Sequence, residues 1–285
     1  MAQSAAKSAV ELARSSTPQQ SQAQIPPMPA RRRPLREMMT WERLARIISL
    51  PLFLGLWQWV SSAGFVNAML FPPPTVVVTS FLDWMGSGLL WSDLGMSLSR
   101  IAVGFASGAV VGATVGIITG RFRLIEGLLT PVFSLLRPIP PIAFVPLVIL
   151  WFGLSEWGKY FLVFWGVFFT VWMAAHLGVQ KVNPLYIRAA QCLGTPEHKM
   201  LTQIYLPGSL PYILVGLRTA VSIAFYALVA AEIAGTFSGI FYRIDISQQN
   251  LQVGHAMAGL LVLGALSLIA DRTFNAITKR YNWAD

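Results

Sequence analysis

Arg100, Arg137, Arg218 and Glu232 stand out chemically, because each lies within or beside an apolar run. A charge inside a bilayer is costly and faces a partner or a water-filled path. Three guanidiniums against one carboxylate lean towards passage of a small anion, with Arg137 the best placed to touch it and Arg218 and Glu232 further candidates along the path. Structural roles compete with this reading. Arg100 can anchor a helix end, Arg218 lies close enough to the cytoplasm to brace a neighbouring loop, and Glu232 can act as a gate or a helix-pairing residue near the outer face.

Catalytic constellations do not emerge from the sequence. His176, His198 and His255 are far apart, and none has metal-ligand spacing. Cys192 is the single cysteine, which excludes an internal disulfide. Gly153-x4-Gly158-Lys159 imitates a phosphate-binding loop, but Tyr160 stands where a Ser or Thr would hold magnesium, and no strand precedes it. An intramembrane enzyme would need a nucleophile–base pair or facing metal ligands, and neither is visible. The chain reads as a non-enzyme that binds no cofactor or metal itself.

The elements that position these charges follow from composition. Charged residues make up 12% of the 285 and hydrophobic residues 55%, against about 25% charged in soluble chains. The mean hydropathy is +0.59. This is the signature of an all-α membrane protein. The net charge of +9 does not point to nucleic acid, because the basic residues sit at the ends of apolar runs. Residues 1–40 read as a disordered basic tail, and residues 41–285 as the transmembrane domain. The arginines at 31, 32, 33, 36, 43 and 46 anchor topology and contact lipid head groups.

Six spans are expected, each needing about 20 apolar residues: Leu44–Gly64, Leu98–Gly120, the proline-rich run from Leu128 to Gly153, Tyr160–Gln180, Ser209–Gly235 and Ala256–Thr273. Between the first two, Phe71 to Ser97 carries Asp83 and Asp93 but no Lys or Arg, and reads as an outer segment lying on the surface. Gly104, Gly108, Gly112, Gly116 and Gly120 recur every four residues. Four residues turn a helix by about 400°, so the stripe drifts by about 40° per step and permits close, oblique approach of a neighbouring helix. Pro131, Pro138, Pro140, Pro141 and Pro146 break the third span. Broken backbone at membrane depth survives only against protein or a water-filled cavity, which puts this span beside a translocation path.

From Pro184 to Pro211 the chain turns polar between two apolar runs. Leu185–Leu193 reads as one short helix stopped by Gly194, which tolerates left-handed dihedrals. Thr195 can cap a second helix with Pro196 at its first position. That helix runs to about Gln203, and Pro207 and Pro211 set the entry into the next span. A helix–Gly–helix between two spans suits a docking partner, and a helical loop without one is the plainer alternative.

The same stretch resembles the cytoplasmic EAA loop of ABC importer permeases, whose pattern is Glu-Ala-Ala, three residues, Gly, nine residues, Ile-x-Leu-Pro. Ala189, Ala190, Gly194, Ile204, Leu206 and Pro207 fall in register, and Arg188 stands where the family usually has Glu. The runs LFPPPTVV, SLSRIAVGF, LRPIPPIAFVPLVILWFG and GLRTA extend the resemblance from about Leu70 to the C-terminus, towards the branch importing sulfonates, taurine, nitrate or bicarbonate. The resemblance implies the type I ABC importer permease fold, with a coupling loop at about 184–208. It implies ATPase contact through Ala189, Ala190, Gly194, Thr195, Pro196, Glu197, Ile204, Leu206 and Pro207. Implied partners are a second permease copy, two ATPase subunits that bring ATP and Mg, and a periplasmic or lipid-anchored substrate-binding protein at a bacterial inner membrane.

Charge placement agrees with six spans and both termini inside. Lys7, Arg14, the six arginines from 31 to 46, Arg121, Arg123, Lys181, Arg188, Lys199, Arg272, Lys279 and Arg280 fall inside, sixteen of the 21 basic residues. Only Lys159 and Arg243 fall clearly outside. The competing function is a secondary carrier or channel. Carriers often show paired broken helices, and here the broken third span has no equally broken counterpart. Six spans are too few to enclose a pore, which favours two copies about a two-fold axis.

Overall fold

The computed structural model describes residues 35–64 and 66–278. The expected tail lies outside the described residues as far as position 34, with Arg31, Arg32 and Arg33, and so do Lys279 and Arg280. Two compact units divide the chain, residues 1–53 and 54–285. The elements are α1 (Leu35–Ser62), α2 (Pro74–Gly86), α3 (Leu89–Arg121), α4 (Arg123–Leu136), a 3-10 turn at Pro141–Phe144, α5 (Val145–Phe152), α6 (Glu156–Gln180), α7 (Pro184–Cys192), α8 (Glu197–Met200), a π turn at Leu201–Tyr205, α9 (Leu206–Ile233), α10 (Ile240–Gln249) and α11 (Val253–Thr278). No strand occurs among the described residues.

Among the described residues four helices are long and apolar enough to cross a membrane: α3, α6, the continuous helix Glu197–Ile233, and α11. A fifth span is broken, with Arg123–Leu136 and Pro141–Phe152 meeting at 88°. In α1 the apolar stretch is Ile47–Ser62. The break follows from proline chemistry. Pro138, Pro140 and Pro141 supply no N–H, and each disfavours helical dihedrals in the residue before it. Pro140 is accordingly extended, at ψ 145°.

Helix α3 begins at Leu89, nine residues earlier than the sequence suggests, after Gly88 turns left-handed at φ +75°. The expected outer surface segment is therefore divided between α2 and the first turns of α3. Asp93 and Ser97 are buried there rather than solvated, because backbone N–H groups of another segment point at them.

Helix α6 is central, with Leu162, Val163, Val167, Val171 and Ala175 fully buried. On one side lie Ala220, Ala224, Ala227 and Ala231 of α9. On the other runs the glycine stripe of α3. A Cβ at Gly104, Gly108, Gly112, Gly116 or Gly120 would stand 3.1, 2.9, 2.7, 2.6 or 2.9 Å from the carbonyl oxygen of Tyr160, Phe164, Phe168, Trp172 or His176. The offset is the same for every pair, so the two helices run parallel in fixed register. Five bare Cα groups face five carbonyls with no room for a Cβ between them, so glycine lets the two backbones close on each other.

The second loop helix does not end near Gln203. Glu197 to Ile233 is one continuous helix, and the fifth span thus begins earlier than Ser209. Pro207 would press its ring against the carbonyl four residues back. The π turn at Leu201–Tyr205 lies where that carbonyl sits, and a wider turn absorbs the clash without breaking the helix.

Candidate functional site

Three places gather the functional candidates, and the first is the polar loop. Asn183 Oδ1 accepts the Leu185 N–H at 2.9 Å and Pro184 takes the first helical position, so α7 starts capped. Its end closes with paired bonds from Thr195 N–H to the Ala190 carbonyl and from Gly194 N–H to the Gln191 carbonyl, both 3.0 Å. Gly194 sits at φ +67°, and nothing lies within 4 Å of where its Cβ would stand. The glycine is needed for its backbone, and the space beside it is open. Helix α8 begins at Glu197, one residue later than expected, with Pro196 extended before it and no side-chain cap from Thr195. Thr195 instead serves α7, through its N–H.

Inward, this loop rests on Val179, Val182, Met200 and Tyr205, with Ile187 and Ile204 packed alongside. Ala190 is also turned inward. Glu197 pairs with Arg121 at the end of α3 at 2.6 Å, and Arg121 lies 5.4 Å over the Tyr205 ring. Outward, Leu185, Tyr186 and Leu193 are 67%, 63% and 84% exposed. Arg188 and Ala189 are exposed with them. A groove of about 540 Å³ runs between α7 and the π turn leading into α9, lined by Tyr186, Ala189, Ile204 and Pro207 among others. Leu206 and Pro207 are exposed at its edge.

Arg137 lies at the break after α4, lining a cavity of about 340 Å³ with Pro140, Pro141, Trp165, Phe169, Met173 and Ile223. It is the one charged side chain on the lining, so the cavity can hold an anion. Its other walls come from Ile139, Pro140 and Pro141 at the break and from mostly apolar residues of α6 and α9. Such residues look like any other span residue in sequence.

Glu232 and Arg218 are not brought to that cavity. Glu232 is buried, accepting from Ser97 Oγ at 2.6 Å, Arg100 Nη1 at 3.0 Å and the Phe241 N–H at 2.7 Å. Arg100 also grips Glu156 through Nε and Nη2 at 2.8 and 2.9 Å, and Lys159 Nζ donates to the same carboxylate at 2.7 Å. Asp93 accepts from the Gly239 N–H at 2.9 Å and Arg243 Nε at 3.0 Å, while Ser97 Oγ accepts the Ile240 N–H at 2.9 Å. The N-terminus of α10 is thus capped by side chains from α3 and α9. Together these groups tie α3, α6, α9 and α10 at one end. Arg218 is 57% exposed and lies 3.6 Å from Asp271 of α11.

Comparison with known proteins agrees with this architecture. Residues 108–283 match the family described as binding-protein-dependent transport system inner membrane component. The chain is 32% identical to the taurine transport system permease protein of Escherichia coli, over 81% of this chain and 86% of that protein. It is also 32% identical to a protein named as an aliphatic sulfonates transport permease of Bacillus subtilis, over 88% and 90%. A bicarbonate transport system permease protein of Synechocystis is 33% identical over 80% and 84%. In fold, the chain is similar to one from a crystal structure of an amino acid ABC transporter with histidines, at TM-score 0.53 and 17% identity, over 70% of this chain and 96% of that one.

Proposed function

This chain belongs to the binding-protein-dependent transport system inner membrane components, and from that premise we propose that two copies form the path of an importer for a small anion. The chain is a permease subunit of an ABC importer. In the proposed assembly two ATPase chains dock on the α7–Gly194–α8 loop and hydrolyse ATP with Mg, and a substrate-binding protein delivers the anion from the outer side. Both termini are cytoplasmic in this arrangement. ATP binding in the partner biases the permease between outward- and inward-facing packings.

The observation that carries the docking assignment is the loop's division into two faces. One face is fixed to the permease by Met200, Tyr205 and the Glu197–Arg121 pair. The other presents Leu185, Tyr186 and Leu193 together with an exposed Arg188, an apolar patch suited to a protein partner. Anion passage is supported by Arg137 as the single charge on its cavity. The relatives' names cite taurine, aliphatic sulfonates and bicarbonate, each carrying a compact anionic group.

Gly194→Asp tests the assignment. A non-glycine residue at left-handed dihedrals costs about 1–2 kcal/mol, and the new carboxylate stands in the open space of the docking face. The variant should reach the membrane at normal levels yet lose copurification with the ATPase and ATP-dependent uptake by at least about tenfold. Normal copurification with undiminished uptake would show that the partner docks elsewhere. Uptake by the wild-type permease without ATP would instead support a self-powered carrier.

A further inference from the structure

Resting on the docking assignment above, we infer that Arg188 is the contact by which the loop selects its ATPase. Its guanidinium pairs with a carboxylate of the ATPase, set beside an apolar pocket that takes Leu185. Helix α7 has two distinct faces. Ile187 packs on the cluster of Val182, Met200 and Tyr205, and Ala190 is buried with it. Leu185, Arg188 and Cys192, three and four residues apart, share the exposed face. That face is turned away from the span ends on which the loop rests, which suits a docked protein better than lipid head groups.

The sign of the partner follows from the charges that the loop leaves unmatched. Residues 181–208 carry Lys181, Arg188 and Lys199 against a single acid, Glu197, and that acid already pairs with Arg121 at 2.6 Å. Lys181, Arg188 and Lys199 are exposed, and their side chains have no hydrogen-bond or ion-pair partner among the described residues. Of the three, only Arg188 lies on α7, among the exposed apolar residues Leu185, Tyr186 and Leu193. A protein surface closing over that patch strips the guanidinium of water, and an unpaired charge there is costly. A carboxylate on the partner removes the cost, and the planar fork can hold it by two parallel hydrogen bonds. An ATPase with no acid at this point strands the charge, so the same residue that attracts one partner rejects others.

The experiment uses the coexpressed permease–ATPase complex in lipid nanodiscs, held through the permease, and reads the rate at which the ATPase is released. Arg188→Glu should release it at least about thirtyfold faster, or lose it during purification, with permease levels in the membrane unchanged. Lys199→Glu makes the same change of charge on the same loop and should stay within about fivefold of wild type. In the Arg188→Lys complex a carbodiimide, which joins an amine to a carboxylate in contact with it, should link position 188 to one acid of the ATPase. Replacing that acid by lysine should restore the hold on Arg188→Glu. Equal losses from Arg188→Glu and Lys199→Glu, or no linked acid, would reduce the pairing to diffuse attraction and overturn it. A loss confined to nanodiscs containing phosphatidylglycerol, and absent in pure phosphatidylcholine, would assign Arg188 to lipid head groups instead. If Arg188→Glu keeps the ATPase while Gly194→Asp loses it, the docking assignment stands and the ion pair falls. If both keep it, the docking assignment falls as well.

Discussion

Replacing Gly108 and Gly112 together by leucine will abolish detergent-stable folding. At Gly108 a Cβ would stand 2.9 Å from the Phe164 carbonyl oxygen and from Val167 Cβ, and at Gly112 it would stand 2.7 Å from the Phe168 carbonyl oxygen. These obstacles are mostly backbone on a helix whose opposite face is packed on α9, so they cannot swing aside. Overpacking one such site costs about 1–3 kcal/mol. Two on one seam must push α3 and α6 apart along their length. The permease should lose its monodisperse peak in size-exclusion chromatography, while Gly127→Leu, where nothing lies within 4 Å of the added Cβ, should keep it. An unchanged melting temperature for the double variant would show that the seam is not close-packed.

What the sequence reveals and what it hides divide along a physical line. Local rules reach the glycine stripe, because a four-residue period belongs to a single helix. They reach the break at Pro138 to Pro141, because prolines act on their own neighbours. The stop at Gly194 is equally legible, since left-handed closure needs a residue without Cβ. Asn183 ahead of Pro184 is a cap of the same local kind, an Asx side chain before a proline at the first helical position.

Groups whose partners lie far along the chain stay hidden. Glu156 looks like part of an outer turn and Glu232 like an intramembrane charge, yet both meet Arg100, 56 and 132 residues away. Helix α10 escaped detection for the same reason. Its N-terminal residue Gly239 offers no side-chain cap, and the groups that satisfy its N–H donors are Asp93, Ser97 and Glu232. The π turn before Pro207 is a compromise between a continuous helix and a proline ring, and the sequence alone suggested a break.

Removing Arg100 will destabilise the permease more than removing any exposed arginine. Arg100 is fully buried and Glu232 is 3% exposed, and the pair sits where α3, α6, α9 and α10 meet. Arg100→Met leaves the Glu232 carboxylate with neutral donors from Ser97 and Phe241, and leaves Glu156 with Lys159 alone. Breaking a buried pair by deleting one partner costs about 3–5 kcal/mol, because the remaining charge is stranded. Arg218→Met, by contrast, removes an exposed pair of the kind worth about 0–1 kcal/mol. The check is a double-mutant cycle of melting temperatures with Arg100→Met, Glu232→Gln and both together. The double variant should lose less than the sum of the singles, since neutralising Glu232 relieves the stranded charge. Strict additivity, or an Arg100→Met loss no larger than that of Arg218→Met, would mean that the contacts of Arg100 hold nothing together.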